Sequence, residues 1–343
     1  ASANTFVGGY AGKGGTTSAP YSSGQYNTAV GFQAFDAFTT ADYSTAIGYN
    51  AGTAITTGNS NTLLGFGAGQ SVSTGYANTY LGVEAGQNNN GFDNVIIGRQ
   101  AGNDATNTDK LVLIGNSAGA DINSADADGT VAIGWEAGRA ITSGVSNLAI
   151  GYQAMLTHTT GHSNIAIGYG AMDDTDAGSN SNDSDHNLAI GVNAMGGTWA
   201  NTKSEQNVAI GNSTMDSALD GASNNTTVGY ASLSSLTTGD NNTALGHQAA
   251  NAITTAAGNI AIGNSAMLVH TTGDYNIAIG SSAMDNTDAG STSLGSTENI
   301  FMGRNSGGGT WADAASNYNI GIGNQVMDAA MDGALNNTAI GWA

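Results

Sequence analysis

The chain has 343 residues, of which 26 are Asp or Glu and 6 are Lys or Arg, giving a formal net charge of −20. A field of that sign repels nucleic acid and anionic membranes and leaves cations as natural small partners. No stretch approaches 18 consecutive apolar residues, so no membrane-spanning helix is expected, and the absence of cysteine means that no disulfide holds the fold.

Only 9% of the residues are charged, with 52 Gly and 1 Pro. Disordered chains usually carry more charge or more proline, so the periodic apolar residues argue for order. No signal peptide is visible, and a start at Ala1 reads as a processed chain or as a segment of a longer one.

From the N-terminus onward, one unit repeats. Aligned on a glycine, copies stand at Gly8, Gly31, Gly48, Gly65, Gly82, Gly98, Gly115 and Gly134, then at Gly151, Gly168, Gly191, Gly211, Gly229, Gly246, Gly263, Gly280, Gly303, Gly323 and Gly341. The commonest spacing is 17 residues, and spacings up to 23 mark inserted loops. A period of this length is the mark of a stacked repeat architecture. The expected organisation is therefore a single continuous array over residues 1–343.

Within a unit, Asn stands four residues before the glycine in 16 of 19 copies; Ser44, Leu111 and Thr130 are the exceptions. The next three residues read β-branched or Leu, small, aliphatic, as in Leu148-Ala149-Ile150. Alternation of period two predicts a short strand with one apolar face. The key glycine, for example Gly151, Gly168, Gly191, Gly263 and Gly280, marks a structural corner that needs either φ > 0 or close backbone approach. Four residues after it stands Gly in most early coils, and Met in many later ones, from Met155 onward, which suggests a buried methionine ladder. The second half of the coil, as at Ile55 to Gly58, has strand-forming Thr and a turning Gly. Each coil is accordingly expected to hold two short strands joined by two turns. The fold class predicted is all-β: a parallel β-solenoid, or β-roll, of about nineteen 17-residue coils with inserted loops. Stacked at about 4.8 Å per coil, it would form a rod of roughly 90 Å. The repeated Asn serves either as a turn former or as a ladder between coils.

A longer period is superimposed. Residues 147–258 recur from 259 to 343 with an offset of 112: His158 matches His270, Asp176 matches Asp288, and Thr198-Trp199 matches Thr310-Trp311. The inserted loops are copied with it, which points to duplication of a multi-coil block.

The unit Asn-x-Ala-Ile-Gly-x-x-Ala, carried by Asn147 to Gly151, Asn259 to Gly263 and Asn337 to Gly341, resembles the head repeat of YadA-like trimeric autotransporter adhesins. It is also similar to the Asn-Thr-Ala-Ile-Gly repeats of bacteriophage fibre proteins. The resemblance spans essentially the whole chain. It implies a left-handed β-roll, usually trimeric, on an exposed surface. This coil is longer than the adhesin unit, and no coiled-coil stalk, membrane anchor or C-terminal chaperone domain is visible.

Candidate chemistry is sparse. Gly115-Asn116-Ser117-Ala118-Gly119 matches the pattern of a nucleophile elbow, but it falls in register with every other coil corner and lacks the strand-to-helix context. No catalytic residue is expected, and no enzyme. The acids Asp173, Asp174, Asp176, Asp183 and Asp185 offer closely spaced oxygens that would suit calcium, weighed against a solvated acidic loop. No other cofactor is expected. The five histidines lack metal-site spacing; His158 and His270 read as structural or exposed. Aromatic residues one position after the key glycine form a partial column that includes Trp135, Tyr152 and Tyr169. These rings would bind a sugar or line an interface with a neighbouring chain. Trp199 and Trp311, on duplicated loops, are further ligand or interface candidates, either packed back or presented outward.

The expectation from sequence is a structural fibre of the extracellular surface or a virion. Its partners would be further copies of itself, as a trimer or head-to-tail filament suggested by uncapped ends. The alternative is an adhesin or receptor-binding fibre whose loops contact glycans or host-surface proteins.

Overall fold

The three residues before each key glycine form a β-strand in every coil, from Thr5–Val7 to Thr338–Ile340. The computed structural model describes residues 3–14, 22–175, 183–199, 202–287, 295–311 and 314–342. Among these there are nineteen three-residue strands, no α-helix, and one 3-10 turn at Ala125–Ala127. The chain falls into two compact units, Ala1–Asn164 and Ile165–Ala343. Each is a parallel β-solenoid in which every strand pairs with that of the next coil. In the first unit Ala29 lies beside Ala46, and in the second Ala189 lies beside Ala209. The predicted fold class therefore holds.

The strand alternates as its sequence dictates. The central side chain points into the coil and is buried, as at Ala149 and Ala209, while its neighbours on either side point outward. The key glycine then turns the chain at a φ between +126° and +148°. A Cβ there would also meet the carbonyl oxygen of the next key glycine: on Gly229 it would lie 2.2 Å from the Gly246 oxygen. Both reasons for a glycine thus apply at once.

Asn forms a ladder. Asn225 Oδ1 accepts the backbone N–H of Asn242 at 2.9 Å, and Asn225 Nδ2 donates to the Gly239 carbonyl at 2.8 Å and to Asn207 Oδ1 at 3.1 Å. The same pattern runs through Asn242, Asn259 and Asn276. These amides are fully buried, so each pairs backbone groups that water cannot reach.

The expected second strand of the coil is absent from the described residues. At the Thr-Thr stretch, the N–H groups of Thr39, Thr40 and Ala41 all approach one carbonyl, that of Thr56, at 2.9, 3.1 and 3.3 Å. Thr39 Oγ1 donates to the same oxygen. Three successive donors converging on one acceptor describe a tight corner. A strand would have spread them over alternating partners.

The core is closed by an exchange of volume between two positions, the strand centre and the residue four after the key glycine. Where the strand centre is large, the other is Gly: Phe6 with Gly12, Leu63 with Gly69, Tyr80 with Gly86, Phe301 with Gly307. Where it is Ala, the other is often Met: Ala149 with Met155, Ala166 with Met172, Ala189 with Met195, Ala261 with Met267. Those four methionines are fully buried, as a ladder requires. They hold left-handed φ values of 51° to 54°, a strain offset by filling the core. A Cβ on Gly307 would lie 2.7 Å from the Phe301 ring.

The duplicated block makes this testable, because Ala189 and Met195 are the counterparts of Phe301 and Gly307. Gly307→Met alone is expected to overpack the coil and cost about 3 kcal/mol. Phe301→Ala alone should cost about 3 to 5 kcal/mol by leaving a cavity. The double variant recreates the sister coil and should be more stable than either single one. Urea midpoints of the four proteins give the coupling; additive losses would show that the two positions do not share one volume.

Candidate contact face

The outward side of the strands is the strongest candidate for function. Each strand presents two outward residues, and on none of the nineteen is either one charged: all are Thr, Val, Ile, Leu or Met. In a chain of net charge −20 that exclusion is selective. Several are well exposed, including Leu64, Leu81, Leu245 and Ile322. Over the ten strands of the second unit the two columns cover roughly 480 Å², from about 48 Å of stacked strands about 10 Å wide. That equals the largest apolar patch of a typical monomer.

Beside this face runs the column one residue after the key glycine. In that register Trp135 and Tyr152 of the first unit are 49% and 45% exposed, and Tyr169 of the second unit is 55% exposed. In the first unit Phe32, Tyr49 and Phe66 stack with centroids 5.5 and 5.3 Å apart and ring planes within 14°. Stacked rings cover one another's faces and offer their edges to solvent. Sugar recognition uses ring faces, so this part of the column is better suited to apolar packing.

Of the two placements open for Trp199 and Trp311, the structure shows the packed-back one. Both are fully buried and are the largest side chains in the core. A large ring at the start of a widened coil fills its interior, and Trp311 packs edge-on against Phe301 at 5.8 Å. Their duplication thus preserves packing.

The acidic candidates separate into two groups. Asp173 is half-buried, and burial, followed by the nearby charges of Asp174 and Asp216, pushes its carboxyl up to about 6. Asp173 Oδ1 and Asp216 Oδ1 each lie 3.1 Å from the point a Gly196 Cβ would occupy. The sister block repeats this with Asp285 and Asp328 around Gly308, at 3.2 and 2.9 Å. Asp174 Oδ2 accepts from Thr198 Oγ1. Asp183 and Asp185 instead add to the field that raises the exposed Lys203 ammonium, after its direct partner Glu205 at 2.6 Å. Asp176 lies outside the described residues. Among the described residues no group of three or more His, Asp or Glu side chains is arranged to hold a metal ion.

His158 and His270 are core residues. His158 Nε2 lies 3.1 Å from the Gly161 carbonyl, and His270 Nε2 lies 2.8 Å from that of Gly273. His270 Nδ1 meets Thr287 Oγ1 at 2.9 Å, so both ring nitrogens have polar partners inside the coil. Ser117, at the centre of the elbow-like pattern, bonds its neighbour Asn116 at 2.9 Å.

Sequence reasoning missed a second stacked aromatic pair. Tyr26 and Tyr43, each one residue before the ladder position, stack at 5.2 Å with planes 5° apart. The recurrence of Tyr at that register, again at Tyr275 and Tyr318, was the available signal. No protein-family model and no curated protein matches this chain.

Proposed function

We propose that this chain is a non-enzymatic structural protein: a β-solenoid segment of an extracellular or virion fibre that packs against further copies of itself through its strand face. The observation that carries this reading is the uncharged, partly exposed strand face on an otherwise acidic chain. An apolar strip of that size in water favours burial against a partner. A second copy suits it best, since it offers the same coil period and the same absence of charge, while the acidic remainder of each copy stays in solvent. The buried Asn ladder supports the same role, because identical layers pair every coil with its neighbours and resist local opening. Exposed surroundings, rich in proteases, suit such a chain.

A receptor-binding fibre is the second reading, and the exposed Trp135 is the feature that favours it. The burial of Trp199 and Trp311 and the edge-on rings around Tyr49 weigh against it.

Sedimentation equilibrium at micromolar concentration tests the first reading. The expected result is a mass that is a multiple of the 34.0 kDa chain. Replacing the outward Ile262 and Ile279 with Lys should return it to the single-chain mass without loss of β-sheet signal, because both side chains lie outside the core. A wild-type protein of single-chain mass would overturn the proposal.

A further inference from the structure

We infer that Tyr26 and Tyr43 form a modification site: a pair of phenols placed for oxidative coupling into an intrachain dityrosine that staples two adjacent coils. Their rings are parallel, 5.2 Å apart between centroids, and exposed by 55% and 64%. Exposure admits an oxidant and leaves both rings free to turn about their Cα–Cβ and Cβ–Cγ bonds. The backbones beneath them are fixed. Tyr43 N–H donates to the Gln25 carbonyl at 3.1 Å, and the next residue, Ser44, donates to Asn27 Oδ1 at 2.9 Å. The two residues are therefore held opposite each other for as long as the coils are stacked, which raises the effective concentration of one ring at the other.

Neighbouring stacks do not offer this chemistry. In Phe32–Tyr49, Tyr49–Phe66 and Tyr76–Phe92 one ring of each pair is a phenylalanine, which has no phenol to oxidise. The oxidant class is a haem peroxidase with hydrogen peroxide. Each phenol gives up one electron and one proton to become a phenoxyl radical. The radicals join through a carbon–carbon bond between ring positions ortho to the oxygens. The two ortho hydrogens then shift to the oxygens as the rings regain aromaticity. The electrons and protons released reduce one peroxide to two waters, so the step balances. In a chain without cysteine, such a bond would supply a covalent tie between layers.

The test is peroxidase and peroxide treatment of the dilute full-length chain, followed by dityrosine fluorescence, a denaturing gel and mass spectrometry of a broad protease digest. The expected product is a Tyr26–Tyr43 cross-linked peptide, lighter by two hydrogens than its two parts, from a chain that still migrates as one copy. Tyr43→Phe keeps a stackable ring, as Phe32 shows beside Tyr49, and should lower the fluorescence yield about tenfold. Tyr49→Phe should leave it unchanged. Cross-links found only between chains or only at other tyrosines would overturn the assignment, as would an undiminished yield in Tyr43→Phe.

Discussion

Alanine at Gly229 is expected to open the second unit at that coil and to cost about 4 kcal/mol. Two effects add. The backbone there has φ +145°, a region that side chains of L-residues rarely adopt. The new methyl would also meet the Gly246 oxygen at 2.2 Å and its carbonyl carbon at 2.6 Å. These are backbone atoms of a coil held on both sides: Gly246 N–H donates to the Val228 carbonyl, and Gly263 N–H to that of Leu245. Relief therefore requires adjacent coils to separate, which breaks the ladder that defines the fold. Gly129→Ala serves as the comparison. Its φ is also positive, at +75°, but the nearest atom to a new Cβ is Ser146 Oγ at 3.6 Å. That change should cost only about 1 kcal/mol, the backbone strain alone. Hydrogen exchange and limited proteolysis distinguish the two, with new cleavage next to residue 229 expected in the first variant. Equal effects of the two substitutions would show that strain, and not close approach, sets the requirement.

The coil, its strand and its corner were legible because they rest on local rules repeated many times. Alternation in Leu148-Ala149-Ile150 gives a strand with one buried face, and a recurrent glycine gives a corner. The second strand was misread because Thr-Thr-Gly has strand propensity, yet its N–H groups converge on a single carbonyl in the next coil. Propensity carries no information about that geometry. The left-handed backbone before the ladder position was equally hidden, since Tyr26, Ser60, Lys110 and His186 all adopt it with unrelated side chains. There the stack imposes the conformation. The placement of Trp199 and Trp311 stayed open in the sequence for a related reason: a tryptophan on a copied loop suits an exposed anchor and an internal plug equally, and only the packing of the coil decides. The strand face is legible in hindsight as two outward positions that exclude charge, but sequence alone does not say which positions point outward until the register is known.

Asn225→Leu is expected to cost about 4 kcal/mol, since it leaves two buried backbone groups without partners. The Asn242 N–H loses its acceptor and the Gly239 carbonyl loses its donor. Leucine already occupies this register once, at Leu111, and the surrounding chain shows what it requires. That coil is 19 residues long and contains the 3-10 turn Ala125–Ala127. The Thr130 N–H, which an asparagine at 111 would have received, donates instead to the Ala127 carbonyl at 3.3 Å. One local bond thus satisfies a donor in the next coil and an acceptor at the corner. The coil that starts at Asn225 keeps the 17-residue spacing from Gly229 to Gly246 and has no turn of this kind. Leucine there has no such remedy. Asn225→Ser should be milder, at about 1 to 2 kcal/mol, because Ser44 in the same register accepts the Asn61 N–H through its hydroxyl at 3.1 Å. Urea midpoints rank the three proteins, and exchange of the Asn242 amide locates the damage. If leucine proved as mild as serine, the ladder would be a consequence of stacking and not one of its causes. The expected order, wild type above serine above leucine, makes the buried amide the element that commits each new coil to the one before it.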